Sequence, residues 1–445
     1  MNLNKPFEVT QLVFKGLGLA RQDNQSIFIP NSLPGDQIIL SRIYKKKGVK
    51  FGIIEKIVTP SPLRITAPCN HFNHCGGCQL LNVSYPNQLH LKNEILSDLI
   101  NQLYPSIPKR PEPIIACDNH TYYRNKMEFS FGTKNNVVFA GLKKRGSFHE
   151  IIRVSDCLLQ SKQTPIILKI ISTYFTQKKT STWDYFKHTG ILRHVTIRES
   201  KGSNQLLLIF SVSSCIKSLI SELSHHLTQE IPEISGILQT INDNPSDTAF
   251  PNDITVIYGS DTLQESLHDK AFIISPQSFF QTNTQQATIL FEKAILLANL
   301  KKTDICLDLY CGTGTIGILI ADHVKKVIGI EEVPEAIINA KKNAEKNNIN
   351  NIEFHTGRVK NLLKFNQYNP SVIIVDPPRS GIVPKALTRI INQNASKIIY
   401  ISCNPSTLLR DLNEFIKANY RISHFVPVDM FPHTYHIECI VIMEK

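Results

Sequence analysis

From about residue 304 onward, the sequence alternates short apolar runs with helical segments. Apolar runs of this length are typical of buried strands, and a helix after each one is typical of strands that lie parallel. The sequence therefore predicts an α/β fold whose C-terminal part is a doubly wound, mostly parallel sheet, with strands over 305–310, 327–331, 352–354, 372–376 and 398–402. A last apolar run, 437–443, predicts a terminal antiparallel hairpin at the edge of that sheet.

Two consecutive predicted strands end in side chains that can do chemistry. Asp376 ends one of them, in the segment Asp-Pro-Pro-Arg, and Cys403 follows the next, in Ser-Cys-Asn-Pro. Catalytic and ligand-binding groups of an open α/β sheet collect where its parallel strands end. A single cysteine is more often an inert core residue, but a Ser/Asn/Pro turn after a strand presents the thiol. The two residues together predict an active centre.

The loop after the first of these strands is rich in glycine. Gly312 and Gly314 would let the backbone approach a cofactor, and Glu331, at the end of the next strand, is placed to bind ribose hydroxyls. The spacing from Gly312 to Gly317 also fits the dinucleotide fingerprint, so a nicotinamide oxidoreductase is an alternative. A carboxylate at Asp308 would disfavour a pyrophosphate but complement the sulfonium and amino groups of S-adenosylmethionine. The loop therefore favours a methyl donor.

Three cysteines lie within ten residues, and a fourth follows at a distance. They are Cys69, Cys75, Cys78 and Cys157. Four thiolates can hold tetrahedral zinc or an iron–sulfur cluster, and the spacing does not choose between the two. Unliganded cysteines are the third interpretation.

The chain has 445 residues, more than one hydrophobic core normally organises. Short strands broken by glycine and asparagine predict an N-terminal β-barrel over residues 1–65, of a kind that often binds single-stranded nucleic acid. A central α+β domain with the cysteines follows over 66–275, and the parallel sheet belongs to a domain over 276–445. The formal net charge of +12 favours a polyanionic partner such as nucleic acid.

No targeting signal is recognisable in the sequence. Residues 1–6 lack the apolar core of a secretory signal, and no apolar stretch approaches the ~20 residues of a membrane-spanning helix. We therefore expect a cytoplasmic protein with no membrane partner. In a reducing compartment, clustered cysteines are better interpreted as metal ligands than as disulfides.

Several of these segments together resemble the RNA uracil-5 methyltransferase family, in particular its iron–sulfur-containing branch that acts on ribosomal RNA. The resemblance spans nearly the whole chain. It depends on the four cysteines and on residues 280–283, 308–314, 329–331, 376–379, 402–405 and 429–438, of which the last two segments are quite specific to that family.

The resemblance implies a role for each part of the chain. The barrel would be a TRAM domain that binds RNA, the cysteines would hold a [4Fe-4S] cluster, and the C-terminal sheet would be a class I methyltransferase that uses S-adenosylmethionine. Cys403 matches the nucleophile and Glu438 the base that removes the proton from carbon 5. The residues that match donor-binding positions are Gln281, Tyr310, Glu331 and Asp376.

The resemblance also implies a partner. This branch acts on 23S ribosomal RNA, with transfer RNA as the alternative, and the target base must leave its stack, so we expect single-stranded or loop RNA. The protein is expected to be a monomer. RNA cytosine-5 methyltransferases carry a cysteine directly after the Asp-Pro element, whereas this chain has Pro377-Pro378, which favours uracil.

One position departs from the family pattern. Where the family usually offers Asp or Asn to the adenine amino group, this chain has Arg358. Arginine has no acceptor, so the adenine contact must come from another residue. The departure keeps open a second hypothesis, a non-catalytic RNA-binding protein with a structural metal site.

Overall fold

The computed structural model describes residues 3, 5–23, 25–245, 253–365 and 367–445. Met1, Asn2 and Asn4, which belong to the segment used in the targeting prediction, lie outside the described residues. The chain divides into two compact units. The first comprises Met1–Phe72, Cys78–Asp118 and Asp376–Lys445, and the second comprises Asn73–Gly77 and Asn119–Val375. The predicted division into three domains over 1–65, 66–275 and 276–445 stays a prediction.

The first unit begins with a closed five-stranded barrel. Its strands are arranged in the order β1-β2-β3-β5-β4. Alternate side chains point inward, as the pleat of a strand requires: Phe7 and Val9 are buried on either side of exposed Glu8. The predicted barrel is thereby confirmed, with strands β1 (Phe7–Val13), β2 (Leu17–Gln22), β3 (Gln25–Pro30), β4 (Gln37–Lys46) and β5 (Val49–Thr59).

A long helix, α1 (Tyr85–Leu103), follows the barrel in the same unit. Pro86 lies in its first turn, where its missing N–H costs no hydrogen bond. Its buried side chains recur at helical spacing, and they include Leu91, Ile95 and Ile100.

The second unit contains a seven-stranded sheet in the order β12-β11-β10-β9-β6-β7-β8. A separate hairpin of β13 and β14 follows it. The elements are β6 (Lys126–Lys134), β7 (Val137–Lys143), β8 (Ile151–Arg153), α2 (Thr164–Gln177), β9 (Leu192–Glu199), β10 (Leu206–Val212), α3 (Lys217–Glu230), β11 (Ile234–Ile241), β12 (Ile254–Gly259), β13 (Leu263–Leu267) and β14 (Lys270–Ile274).

The second unit ends with the predicted alternation of strands and helices. Strands β17, β16, β15 and β18 lie side by side in that order, and all three strand pairs are parallel. Because these strands are parallel, their carboxyl ends share one edge of the sheet. The elements are α4 (Thr284–Ala298), β15 (Ile305–Leu309), α5 (Thr315–Ile320), a 3₁₀ turn (Ala321–His323), β16 (Lys326–Glu331), α6 (Pro334–Lys346), β17 (Ile352–Thr356), α7 (Val359–Leu362) and β18 (Val372–Val375).

The first unit is completed by the C-terminal segment. It consists of α8 (Pro384–Asn392), β19 (Lys397–Ser402), α9 (Pro405–Lys417), β20 (Arg421–Val428) and β21 (Glu438–Glu444). Strand β21 pairs antiparallel with β19 on one side and with β20 on the other. The last strand therefore lies between two partners, and β20 is the outer member of the predicted hairpin.

The predicted fold class is confirmed: the protein is α/β, with an N-terminal closed barrel and a Rossmann-like C-terminal sheet. Among the described residues, every helix is too short or too polar to span a membrane.

Candidate active site

Cys403 lies in the turn between β19 and α9. The helix begins with an N-cap at Asn404, whose side-chain oxygen accepts a hydrogen bond from the Ser406 N–H at 3.1 Å. The side-chain amide of Asn404 donates to the carbonyl of Arg379 at 2.7 Å. One residue thus caps the helix after the cysteine and holds the loop that contains Asp376 and Arg379. The Cys403 thiol is partly exposed.

Glu438 is brought to Cys403 by strand register. The ladder between β19 and β21 ends at the pair Ser402–Cys439, so Cys403 and Glu438 both adjoin this last pair. They are close enough for the Glu438 carboxylate to raise the pKa of the Cys403 thiol. Glu438 is only 1% exposed, and within the described part of the chain its Oε1 atom has no hydrogen-bond partner. The predicted nucleophile and base therefore lie side by side.

Burial and mutual repulsion keep these acidic groups protonated at higher pH than usual. The pKa of the Cys403 thiol is raised to about 12, first by burial and then by the Glu438 and Asp376 carboxylates, while Arg379 opposes the rise. Burial raises the pKa of Asp376 to about 7. Burial, followed by Asp376, raises the pKa of Glu438 well above its usual range. Such shifts are typical of sites that move protons.

Helix α1 fixes the segment that leads into Glu438. The Lys92 ammonium and the Asp429 carboxylate form an ion pair at 2.5 Å with both side chains fully buried, and the Tyr85 hydroxyl donates to the same carboxylate at 2.9 Å. Gln88 accepts from the His433 N–H at 2.8 Å. His433, at φ +67°, is held as part of a tight loop. These contacts give residues 429–434 a structural role, which the sequence resemblance alone did not assign to them.

The glycine-rich loop of the second unit is tied down by two carboxylates. Asp308, fully buried in β15, accepts from the Gly317 N–H at 2.9 Å. Glu331, at the end of β16, accepts from the Gly312 N–H at 3.2 Å. Its other oxygen accepts from the Val333 N–H at 3.0 Å. The strand ends thus support the loop in the arrangement expected of a nucleotide-type cofactor site.

Backbone geometry explains the glycines of this loop. Tyr310, Gly312 and Gly314 all have positive φ, at +64°, +53° and +79°. A side chain at Gly314 would lie 2.9 Å from Phe354, whereas the space over Gly312 is open. Gly314 is therefore required for packing, and Gly312 leaves room for a ligand.

Two further sequence predictions can be placed in this unit. Gln281 is 9% exposed and lies two residues before the N-cap of α4, and its carbonyl accepts from the Asn125 side chain at 2.9 Å. Arg358 is exposed, and its guanidinium pairs with Glu332 at 3.0 Å. The arginine that departs from the family pattern is thus directed to a neighbouring carboxylate.

A cavity of about 260 Å³, lined largely by basic residues, adjoins the segment before Gln281. This cavity was not predicted from the sequence. Arg198 is 3% exposed and donates to the carbonyls of Ser275 and Ser278, which organises that segment. Burial and then Arg198 lower the pKa of Lys126 to about 8. The cavity is lined by Arg124, Lys126, Glu128, Arg198, Ser278, Phe279, Phe280 and Thr282. The interleaved aromatic and basic residues at 122–126 were its only signal in the sequence.

None of these four cysteines forms a disulfide with another described residue; Cys75 is buried, and Cys69, Cys78 and Cys157 are partly exposed. Cys75 forms a β-bridge with Lys144, and its sulfur accepts from the Gly77 N–H at 3.3 Å. In the part of the chain that the structure describes, no three or more His, Cys, Asp or Glu side chains form a group that could hold a metal ion. The structure therefore does not support the predicted cluster of Cys69, Cys75, Cys78 and Cys157.

Comparisons with known proteins agree on one family. The family described as tRNA (Uracil-5-)-methyltransferase matches residues 84–445. An uncharacterized RNA methyltransferase of Bacillus cereus is 33% identical over 438 residues, which cover 98% of this chain and 95% of the relative. An uncharacterized RNA methyltransferase of Caldanaerobacter subterraneus is 34% identical and covers 98% of both chains.

A solved structure extends the similarity to the fold. The tRNA (uracil-54, C5)-methyltransferase of Pyrococcus abyssi, in complex with S-adenosyl-L-homocysteine, superposes with a TM-score of 0.80 at 27% identity. The match covers 98% of this chain and 99% of that one.

Proposed function

The chain belongs to the tRNA (uracil-5-)-methyltransferase family, and on that premise we propose that it transfers the methyl group of S-adenosylmethionine to carbon 5 of a uridine in RNA. The observation that most supports this reaction is the side-by-side placement of Cys403 and Glu438 by the register of β19 and β21. A thiol and a buried carboxylate are the two groups that the chemistry requires.

Carbon 5 of uracil is a poor nucleophile because the ring carbonyls withdraw its electron density. Cys403 reacts as the thiolate after its proton has passed to solvent; its sulfur bonds to carbon 6, and the electron pair of the 5,6 double bond moves into the ring to give an enolate. Carbon 5 then has the electron pair with which to take the methyl group. The donor, when bound, supplies that methyl as an electrophile on its sulfonium sulfur.

The double bond must then be restored. Glu438 accepts the proton from carbon 5, the bond between carbons 5 and 6 re-forms, and the carbon–sulfur bond breaks to release Cys403. Glu438 acts in its ionised form, and because its pKa is raised well above the usual range, that carboxylate is a stronger base than an exposed glutamate. Burial excludes water that would otherwise compete for the proton.

The second unit supplies the residues proposed to hold the donor. Gly312 leaves open space and Glu331 supports the loop beneath it. Tyr310 and Gly314 belong to the same loop. Gln281 precedes α4, and Asp308 stabilises the loop by accepting a hydrogen bond from Gly317. Asp376 is proposed as a further donor contact from the loop that Asn404 holds.

The reaction can be tested with labelled donor and RNA from cells that lack this protein. Cys403→Ala is expected to abolish methyl incorporation while RNA binding is retained, and Cys215→Ala, at an exposed cysteine, is the matched control. Full activity in Cys403→Ala would remove the covalent mechanism. No incorporation by the unaltered protein into any RNA would instead favour the non-catalytic RNA-binding hypothesis that Arg358 keeps open.

We propose single-stranded or loop RNA as the substrate. The sequence resemblance favours 23S ribosomal RNA, and transfer RNA is an equal alternative. The solved relative of Pyrococcus abyssi is a tRNA (uracil-54, C5)-methyltransferase. Mapping of 5-methyluridine in ribosomal and transfer RNA from cells with and without this chain distinguishes the two. A cytoplasmic location, a monomeric state and the TRAM identity of the barrel stay predictions.

The four-cysteine site also stays a prediction, supported by spacing and resemblance alone. Metal analysis of protein purified without oxygen tests it. About four iron atoms per chain would support the cluster, one zinc would support the tetrahedral site, and neither metal would favour unliganded thiols. Cys157→Ala should abolish metal retention, and Cys215→Ala should not.

A further inference from the structure

Three aromatic side chains of the second unit form an exposed cluster, here called the aromatic platform: Phe148, His149 and Phe186. Their ring centroids lie 4.8 to 6.0 Å apart, and each pair meets edge to face. The rings come from two loops, one between β7 and β8 and the other before β9. Nothing in the proposed methyl transfer uses them.

The two phenylalanines are unusually exposed for such apolar side chains. Phe148 is 66% exposed and Phe186 is 67% exposed. Burying a phenylalanine ordinarily stabilises a fold, so folding alone does not account for two rings placed together at the surface. Clusters of this kind mark surfaces that bind a partner.

Hydrogen bonds fix the backbone of both loops. In the first, the Ser147 hydroxyl accepts from the Glu150 N–H at 3.0 Å, and the Lys144 N–H donates to the Glu150 carbonyl at 2.8 Å. In the second, the Asp184 carboxylate accepts from the N–H groups of Phe186 and Lys187, each at 2.9 Å. The rings are thus held in place by hydrogen bonds at their bases, which reduces the entropy lost on binding.

The surroundings of the platform are basic. Lys143, Lys144 and Arg145 lead into the first loop, and Lys187 follows Phe186. Lys144 pairs with Glu150 at 2.6 Å, and the Lys143 ammonium is buried 3.7 Å from the centre of the Tyr185 ring, whereas Lys187 is exposed. Aromatic rings bordered by cations match unpaired nucleotides, whose bases stack and whose phosphates are negative. A purely apolar partner would not use these charges.

We propose that the aromatic platform binds an unpaired base of the RNA, other than the target uridine, by stacking on Phe148 and Phe186. Lys187, which is exposed beside Phe186, contacts an adjoining phosphate. The inference deepens the proposed function and rests on its RNA substrate. It gives the enzyme a second point of contact on single-stranded RNA, in addition to the catalytic groups.

The direct test is the affinity for a fluorescent oligouridylate of about ten nucleotides, a length in the range of single-strand sites, measured with the full chain. The double variant Phe148→Ala/Phe186→Ala is expected to bind about 5- to 150-fold more weakly, the range that base–aromatic stacking gives. Phe148→Tyr/Phe186→Tyr should retain affinity, because the rings are kept. Phe365→Ala, at a similarly exposed phenylalanine, is the matched control.

Two results would overturn the proposal. One is unchanged oligouridylate affinity in the double alanine variant, which would indicate a protein partner or none. The other is an equal loss for an RNA duplex of the same length, which would indicate a general loss of charge attraction or of fold.

Kinetics separate this inference from the proposed function. At saturating RNA the double alanine variant should keep its kcat while its KM rises, whereas Cys403→Ala should lose kcat and keep oligouridylate affinity. If Cys403→Ala stays active but the platform variant loses affinity, the catalytic proposal fails and the platform remains an RNA site.

Discussion

Cys403 and Glu438 both adjoin Ser402–Cys439, the last pair of the ladder between β19 and β21. The relationship depends on β21 lying between two antiparallel partners, because that position buries Glu438 to 1% exposure. A carboxylate on an outer strand would be hydrated and weakly basic. The interior position of the strand therefore makes Glu438 suited to accept a proton from carbon.

Glu438→Gln should separate the two halves of the reaction. The amide fills the same space but accepts no proton, so methylated RNA should remain attached to Cys403. We expect turnover to fall by about 100- to 10,000-fold, the usual contribution of a general base. A denaturing gel of the variant with labelled donor should show a protein–RNA band. Release of methylated RNA at the unaltered rate would assign the base to another residue.

Asp376 should control the reactivity of Cys403 in a pH-dependent way. Because its pKa is about 7, Asp376 is ionised at pH 9, where its charge raises the pKa of the thiol. Asp376→Asn should then speed alkylation of Cys403 by about 3- to 10-fold, which corresponds to half to one pKa unit. At pH 6 the carboxyl is protonated, and the difference should disappear.

Arg379 has the opposite effect on the pKa of Cys403, so its substitution is the control for the Asp376→Asn experiment. Its charge lowers the pKa of Cys403, so Arg379→Met should slow alkylation at pH 9. Rates are measured for the Cys403 peptide by mass spectrometry. Faster alkylation in both variants would indicate a simple gain in access to the thiol.

Lys126 should make RNA binding depend on pH near 8. The pKa of Lys126 is lowered to about 8, so the ammonium that would meet a phosphate is lost as the pH rises through that value. Affinity for RNA at fixed salt should fall between pH 7 and pH 9, and Lys126→Met should remove this step. Lys126→Met should also reduce the slope of log affinity against log salt concentration by about the amount expected for one phosphate contact. Lys342→Met, at an exposed lysine of α6, should preserve both behaviours.

The buried pair of Lys92 and Asp429 should matter for stability. Lys92→Met leaves a buried carboxylate without its cation, which is expected to lower the free energy of unfolding by about 3–5 kcal/mol. Lys92→Met/Asp429→Asn should recover much of that loss. The exposed pair Lys178–Glu222 is the control, and Lys178→Met should change stability by less than about 1 kcal/mol. Urea unfolding measures all three variants, and equal losses at the two lysines would contradict the role given to burial.

The sequence predicted the features that depend on neighbouring residues. The apolar runs gave the strands of the parallel sheet, and the turn after β19 showed that the Cys403 thiol would be presented. The glycines around Gly312 and the acid at Glu331 were recognised from their spacing, and the structure joins them by a hydrogen bond. Glu438 was named by resemblance alone, because a single acid before an apolar run has no local signature.

The features that the sequence did not predict depend on distant residues. Lys92 and Asp429 are 337 positions apart, and no periodicity links a helix residue to a loop at that separation. The same is true of Arg198, which organises residues 275–278 from another strand. The final hairpin was predicted at the sheet edge, but pairing order is set by tertiary packing, which places β21 between its partners.

The most direct test of the central claim is to find the covalent bond. RNA transcribed with 5-fluorouridine carries at carbon 5 a fluorine that Glu438 cannot remove as a proton, so the reaction should stop after methyl transfer. Mass spectrometry of the digested complex should locate a methylated fluorouridine on Cys403, and on no other of the ten cysteines. Absence of an adduct with an RNA that is otherwise methylated, or an adduct on a different cysteine, would contradict the mechanism.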